Sequence, residues 1–179
     1  MQSNPKGVKS HLKLLLDLVE MRDLESFIIS VTTNASERAD LPQAREILIR
    51  WAQESQDHMN ILQSAISKLQ DKTQNDDYKV ILDGYIDKPY CISQILRFLQ
   101  LDMKSLGVKE VYTLFKQHLT LEYNAGAKYA EMAQMTDDLE MREMLQKLSM
   151  REKVHHSEAE HLLKSLKTEY SGIIGDNDV

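Results

Sequence analysis

The chain reads as all-helical, two helical hairpins joined by a long connection, and three observations predict it. Helix breakers are scarce, with three prolines and six glycines in 179 residues, so long helices are allowed almost everywhere. Apolar residues recur at steps of three and four, as in Leu14, Leu18, Met21 and Ile28 near the start and Leu145, Leu148, Ala159 and Leu162 near the end. Alternating β-branched runs are missing. A mass of 20.7 kDa with 42% hydrophobic residues is enough for one core and little more. Residues 1–170 are therefore expected to form a single domain.

The first helix is expected from about Val8 to Ala39. Asp40-Leu41-Pro42 then supplies an N-cap and a first-turn proline for a second helix reaching about Leu69. The polar stretch Asp71–Asp77 opens the long connection, whose second half is amphipathic and predicts a short crossing helix from about Pro89 to Leu106, stopped by Gly107. A third helix is expected over Val108–Met135. Asp137 and Glu140 have capping-box spacing at the next turn, and a fourth helix should reach about Lys167. The last segment, 171–179, contains two glycines and a polar end, so a flexible tail is expected there.

Charge and cysteine usage exclude several classes of function. With 22 basic and 28 acidic residues the net charge is −6, which opposes binding to nucleic acid or anionic membranes. The N-terminal cluster LKLLLDLV carries charges, lacks a cleavage site and is far short of a membrane span, so neither signal peptide nor anchor is expected. Cys91 is the one cysteine, which excludes an internal disulfide, a four-cysteine metal module and a thiol–disulfide peroxidase. A reducing cytoplasm is the expected compartment. Cys91 itself is expected to be a small buried hydrophobe, and the nine methionines core filler.

The most informative pattern is an internal repeat. Glu25 precedes His58 by 33 residues and Glu122 precedes His155 by 33. Sliding the chain by 97 positions superposes the two hairpins and also pairs Asp40 with Asp137, Arg45-Glu46 with Arg142-Glu143 and Leu48 with Leu145. At about 1.5 Å of rise per residue, Glu25 and Glu122 lie roughly 21 Å below their turns, and positions 55–58 and 152–155 return to the same level. All of these side chains therefore sit near mid-height. Glu25 continues the stripe of Leu14 and Ile28. Glu122 lies on that of Phe115, His118, Ala125 and Tyr129, and Glu152 and His155 on that of Leu145 and Ala159. Burying unpaired carboxylates costs several kcal/mol each, and neighbours repel, so they must be protonated, paired or bound to a cation. A pair of divalent metal ions resolves the conflict.

Glu152-Lys153-Val154-His155 places carboxylate and imidazole one turn apart on one face. Two Glu-x-x-His helices with one glutamate from each of two others make the dimetal site of helical bundles. On these residues, over about 10–165, the chain resembles the ferritin-like superfamily, most closely the rubrerythrin-like proteins. The resemblance implies a ferritin-like four-helix bundle with a crossover, and a site of two iron ions, manganese or zinc being alternatives. Glu25, Glu54 and His58 would serve one metal, and Glu122, Glu152 and His155 the other. It also implies an oxidoreductase that reduces peroxide or dioxygen or oxidises iron(II), an external electron donor in place of a rubredoxin domain, and a homo-oligomer, with a dimer favoured.

The departure lies in the second helix, where position 55 is serine. Glu54, displaced around the helix by about 40° from His58 where the three-residue spacing is displaced by about 60° the other way, is either the substitute or a solvated surface glutamate that leaves the first half-site weak or empty. Two readings of the whole stand beside the oxidoreductase: a degenerate bundle acting as a structural or interaction module, which Ser55 favours, and an iron-storage assembly. His118 is an extra ligand, a donor to a ligand or a packed core histidine. Tyr129 reads as core, and Glu158-x-x-His161 as a decorated surface.

Overall fold

The computed structural model describes residues 5–72 and 105–174, and there the chain is four helices without strands. α1 spans Pro5–Arg38, α2 Pro42–Lys72, α3 Val108–Met135 and α4 Leu139–Glu169. The expected helix boundaries hold to within three residues. The crossing helix lies outside the described residues except at its end, where Leu106 is not helical but bridges Ala39 in the parallel sense. Cys91 also lies outside them.

α1 pairs with α2 and α3 with α4, and the two hairpins pack together. Their directions follow from contacts at the ends. Lys13 of α1 meets Glu131 near the end of α3 at 2.8 Å, while Lys68 near the end of α2 meets Glu140 at the start of α4 at 3.0 Å. Each helix thus runs antiparallel to its counterpart in the other hairpin, and α2 and α3 point the same way. Leu106 fastens the start of α3 to the first turn, donating to the Arg38 carbonyl at 2.8 Å and accepting from the Asp40 N–H at 3.1 Å.

The repeat is built into the turns. Arg45 donates to the Ala39 carbonyl at 2.7 Å, and Arg142, its partner 97 positions on, donates to the equivalent Thr136 carbonyl at 2.7 Å. Each arginine reaches back from the second helix of its hairpin and satisfies a carbonyl at the end of the first, where intrahelical donors run out. The cap of α4 is Asp138, not Asp137: its carboxylate accepts from the Met141 N–H at 3.1 Å. Asp137 points into solvent. The same shift applies in the first hairpin, where α2 begins at Pro42 and Leu41, not Asp40, holds the preceding position.

The tail departs from expectation at its start. Residues 170–174 form a turn, with the Ile173 and Ile174 N–H groups donating to the Tyr170 carbonyl, and Ile174 is buried against the core. Burial of Ile174 offsets part of the freedom lost in ordering the turn.

The core is divided. One apolar cluster gathers Leu14, Leu18, Leu62, Ile66, Tyr129, Met132 and Leu145, and a second gathers Trp51, Leu48, Phe115, Ala159, Leu162 and Ile174. Between them runs a buried polar belt of Glu25, Ser55, His58, His118, Glu122, Glu152 and His155. Full burial of a leucine or isoleucine side chain stabilises by about 1.5–3 kcal/mol, so the two clusters hold the helices against the cost of the belt.

Removing the α4 cap separates the two aspartates. Asp138→Ala should cost about 1 kcal/mol, a drop of about 2–4 °C in Tm, whereas Asp137→Ala should stay within about 0.5 kcal/mol. Equal effects in thermal or urea unfolding would contradict this assignment of the cap.

Candidate metal centre

Each helix brings one or more chemical groups to the belt. α1 supplies Glu25, α2 His58, α3 Glu122 with His118 and Tyr129 on the same face, and α4 Glu152 and His155. Two sets of ligand atoms converge, Glu25–His58–Glu152 and Glu122–Glu152–His155, the atoms of each set lying within 4.8 Å of one another. Glu152 belongs to both. Its Oε1 stands 3.0 Å from His58 Nδ1 and its Oε2 3.2 Å from His155 Nδ1, so its two oxygens face opposite histidines. Gly126 of α3 makes room for it: a Cβ there would come within 3.3 Å of the Glu152 Cβ.

The other contacts complete a near-symmetric pattern. His58 Nδ1 is 3.2 Å from Glu25 Oε1, and His155 Nδ1 is 3.4 Å from Glu122 Oε2. Glu25 Oε1 accepts from the Tyr129 hydroxyl at 2.7 Å, while His118 Nε2 lies 2.8 Å from Glu122 Oε1. Glu25 Oε2, Glu122 Oε2, Glu152 Oε1 and His118 Nε2 are buried without a well-aligned hydrogen bond. Several of these atoms are therefore close to a polar neighbour yet off the line a hydrogen bond requires. Donors about 2.1 Å from a common cation, at angles between 90° and 109°, stand about 3.0–3.4 Å apart. Short but misaligned separations among carboxylate oxygens and imidazole nitrogens match that spacing. Each set can hold a metal ion.

Without a cation the cluster balances its charge with protons. Burial pushes Glu152 up and the neighbouring Glu122 carboxylate pushes it further, so Glu152 keeps its proton above the ordinary range. Burial also opposes ionisation of Glu122, but the close Glu152, His118 and His155 groups outweigh it and hold Glu122 well below that range. Burial lowers His58, yet Glu152 and Glu25 lift it to about 9; burial lowers His155, yet Glu122 and Glu152 lift it to about 11. Burial and the Glu25 charge raise Tyr129 well above its usual value, so it stays a neutral donor.

Glu54 is brought to the site but not among the converging ligand atoms. Its carboxylate accepts from Arg151 Nε at 2.8 Å and from a second guanidinium nitrogen, and its Oε2 contacts His155 Nε2 on the far side of the ring from the cluster. Glu54, expected as a direct ligand, lies outside both converging sets and contacts the His155 ring and Arg151. In a neutral ring this contact favours the proton on Nε2 and leaves the Nδ1 lone pair to the cluster. The physical reason is Arg151, which sits 97 positions after Glu54 and captures it where the two hairpins meet. Burial and then Arg151 act on Glu54 in opposite senses, and the cations win, holding it below its ordinary value. Ser55, at the place equivalent to Glu152, is buried and supplies no carboxylate.

Sequence reasoning missed three neighbours. Trp51 stacks on the His118 ring at 4.7 Å and 8°, and its Nε1 donates to Glu158 Oε2 at 3.0 Å. Glu158 is thus engaged by Trp51 and Arg50, away from the belt. Arg151 could have been found from its place opposite Glu54 in the repeat. The hydrogen bond of Tyr129 had only a weak signal, seven residues after Glu122 on one helical face. Between α2 and α4 a pocket of about 710 Å³, bordered by His58, Glu54, Arg151, Asp57 and Lys147, opens the His58 side to solvent. No helix among the described residues is long and apolar enough to cross a membrane.

Comparison of the chain with protein-family models, with curated proteins and with solved structures finds no match.

The metal-free protein should lose stability as pH rises. His58 and His155 have folded values raised above the ordinary 6.5, so their contribution is complete below about 6.5 and is lost as pH passes about 9 and then about 11. Urea unfolding at a series of pH values checks this; a metal-free stability that is flat or rising from neutral pH to 11 would refute it. Metal binding at neutral pH should also release up to about two protons, from His58 and His155, measurable by calorimetry in buffers of different ionisation enthalpy.

Proposed function

We propose that the chain is a dimetal carboxylate oxidoreductase with a ferritin-like bundle of the rubrerythrin type. The observation that carries the reading is Glu152, a buried carboxylate whose two oxygens face two histidines from opposite hairpins. Glu25, His58 and Glu152 would hold one ion and Glu122, Glu152 and His155 the other, with Glu152 common to both. The antiparallel pairing of each helix with its counterpart, and the shared direction of α2 and α3, agree with the long crossover of that fold.

A pair of iron ions would supply electrons to peroxide or dioxygen, or take them from iron(II). Manganese and zinc suit the same oxygen and nitrogen donors. The protein's own contribution is to position and to insulate. Tyr129 fixes one oxygen of Glu25, and Glu54 with Arg151 sets the His155 ring. The two apolar clusters exclude bulk water above and below the belt, which strengthens every charge interaction inside it. One cysteine in these residues offers no electron relay, so a separate reductant is required. A dimer in a reducing cytoplasm belongs to the same proposal.

Ser55 favours a second reading, a bundle that kept the fold and lost its site. Metal content decides between them. Protein loaded anaerobically with iron(II), desalted and measured by elemental mass spectrometry should hold two metals per chain and then consume peroxide or oxygen; no retained metal would leave the structural or interaction module. Within the oxidoreductase reading, Glu152→Ala should lose both metals and Glu122→Ala one, because only Glu152 is shared. Glu54→Gln should keep the metals with affinity lowered about 10–100-fold, the usual cost of removing a group that orients a ligand.

A further inference from the structure

The 97-residue repeat places a carboxylate behind one histidine and a cation behind the other. His155 turns Nδ1 to the cluster and Nε2 to Glu54. His58, its counterpart, also turns Nδ1 inward, 3.2 Å from Glu25 and 3.0 Å from Glu152, but the residue 97 positions after Glu54 is Arg151. His58 is 5% exposed, and among the described residues its Nε2 has no hydrogen-bond or ion-pair partner. With Nδ1 directed inward, Nε2 faces away from the cluster, where His58 borders the pocket of about 710 Å³ between α2 and α4. Whether the ring is charged or holds an ion through Nδ1, Nε2 carries a proton and can donate it.

Two cations line the same pocket, one turn apart on α4. Lys147 has no ion-pair partner among the described residues, and Arg151 gives Glu54 its Nε–H and one terminal nitrogen and keeps the other. The acidic members of the lining are already answered or lie at the rim: Glu54 is held by Arg151 and Glu140 by Lys68, while Asp57 and Glu143 are exposed, where water screens them. The rest of the lining is apolar, through Leu148, Met144 and Ile61. A further hollow of about 190 Å³ shares Ile61 and Met144 with it and adds Ala65 and Met141. From His58 to Ala65 is roughly 10 Å along α2 at about 1.5 Å per residue, the reach of a medium-length alkyl chain. An apolar run that ends at a few convergent polar groups has the character of a small-molecule site.

We propose that this groove binds an aliphatic monocarboxylate, its carboxylate accepting from His58 Nε2 and paired with Lys147 and Arg151, its chain lying over Leu148, Ile61 and Met144. The ligand thus supplies behind His58 the carboxylate that Glu54 supplies behind His155. Charge-assisted hydrogen bonds are roughly twice as strong as neutral ones, which selects a carboxylate over an alcohol, and the two cations repel an amine. The inference goes beyond the dimetal reading. Its donor is present with or without an ion on Nδ1, so metal-free protein tests it, and its failure leaves that reading standing.

Metal-free protein at neutral pH is titrated by calorimetry with octanoate and, separately, with octanol and octylammonium, each below its micelle-forming concentration. Octanoate should bind saturably, one per chain, and at least about tenfold more tightly than either comparator. In protein made with isotope-labelled histidine, the ring-nitrogen resonance that His58→Phe removes should be the one that octanoate shifts. His58→Phe should erase the advantage of octanoate over octanol. Lys147→Met should weaken octanoate severalfold and leave octanol unchanged, and Ile61→Glu should weaken octanoate at least about tenfold. Lys147 and Ile61 are exposed, so these two variants carry the test even where His58→Phe fails to fold, and circular dichroism checks each. The proposal is overturned by absence of saturable octanoate binding, by equal affinity for octanol or octylammonium, by a His58 resonance that octanoate leaves in place, or by octanoate affinity that survives both Lys147→Met and Ile61→Glu.

Discussion

The structure turns on placing three carboxylates and three imidazoles in the middle of a hydrocarbon core. Glu25, Glu122 and Glu152 are each at most 2% exposed, and repulsion at that depth would drive the helices apart if nothing offset it. Two responses are built in. Protons on His58 and His155 offset much of the carboxylate charge in the metal-free cluster, and the converging oxygen and nitrogen atoms already stand at separations suited to cations. Apolar clusters on both sides supply the burial that keeps the belt closed. Such a layer costs stability, and a chain with no use for it would be better served by leucine.

The duplication gives this layer its geometry and its asymmetry. Equivalent residues meet where the hairpins face each other: the His58 and His155 rings lie 6.1 Å apart, and Glu54 pairs with Arg151. Other equivalent positions differ. Where α4 carries Glu152, α2 carries Ser55, so a single carboxylate has to face both histidines. Where α2 carries Glu54, α4 carries Arg151, and the resulting ion pair sits behind a ligand instead of among the ligands. Tyr129 and His118, both on α3, tie one oxygen each of Glu25 and Glu122, one as a phenol and the other as an imidazole. The halves thus share a backbone plan while presenting different surroundings to the two sets, and they open in different directions, to a charged pocket beside His58 and an apolar one beside His118.

Much of this was legible in the chain alone. Helical periodicity and the scarcity of breakers are local properties, so helix extents were readable nearly to the residue, Val108–Met135 being the clearest case. The 97-residue offset and the Glu-to-His spacing also needed no structure, because matched distances along two antiparallel helices put residues at equal height by arithmetic of rise. Five of the six candidate ligands, Glu25, His58, Glu122, Glu152 and His155, were recoverable on those grounds. Cap identity was less readable. Asp137 and Asp138 are adjacent, and only backbone geometry selects which one accepts from Met141.

What the sequence by itself determined is the set of groups on each helical face and their height. Only the tertiary structure decided which face of which helix meets which other, and everything specific about the site depends on that. Glu54 is on the right helix at nearly the right angle, yet Arg151 from the other hairpin claims it, a contact between residues far apart in the chain. Glu152 comes to face both histidines, and Trp51 to support His118, for the same reason. Spacing constrains neighbours along one helix, whereas long-range pairing depends on how the helices rotate and approach as their apolar faces are buried.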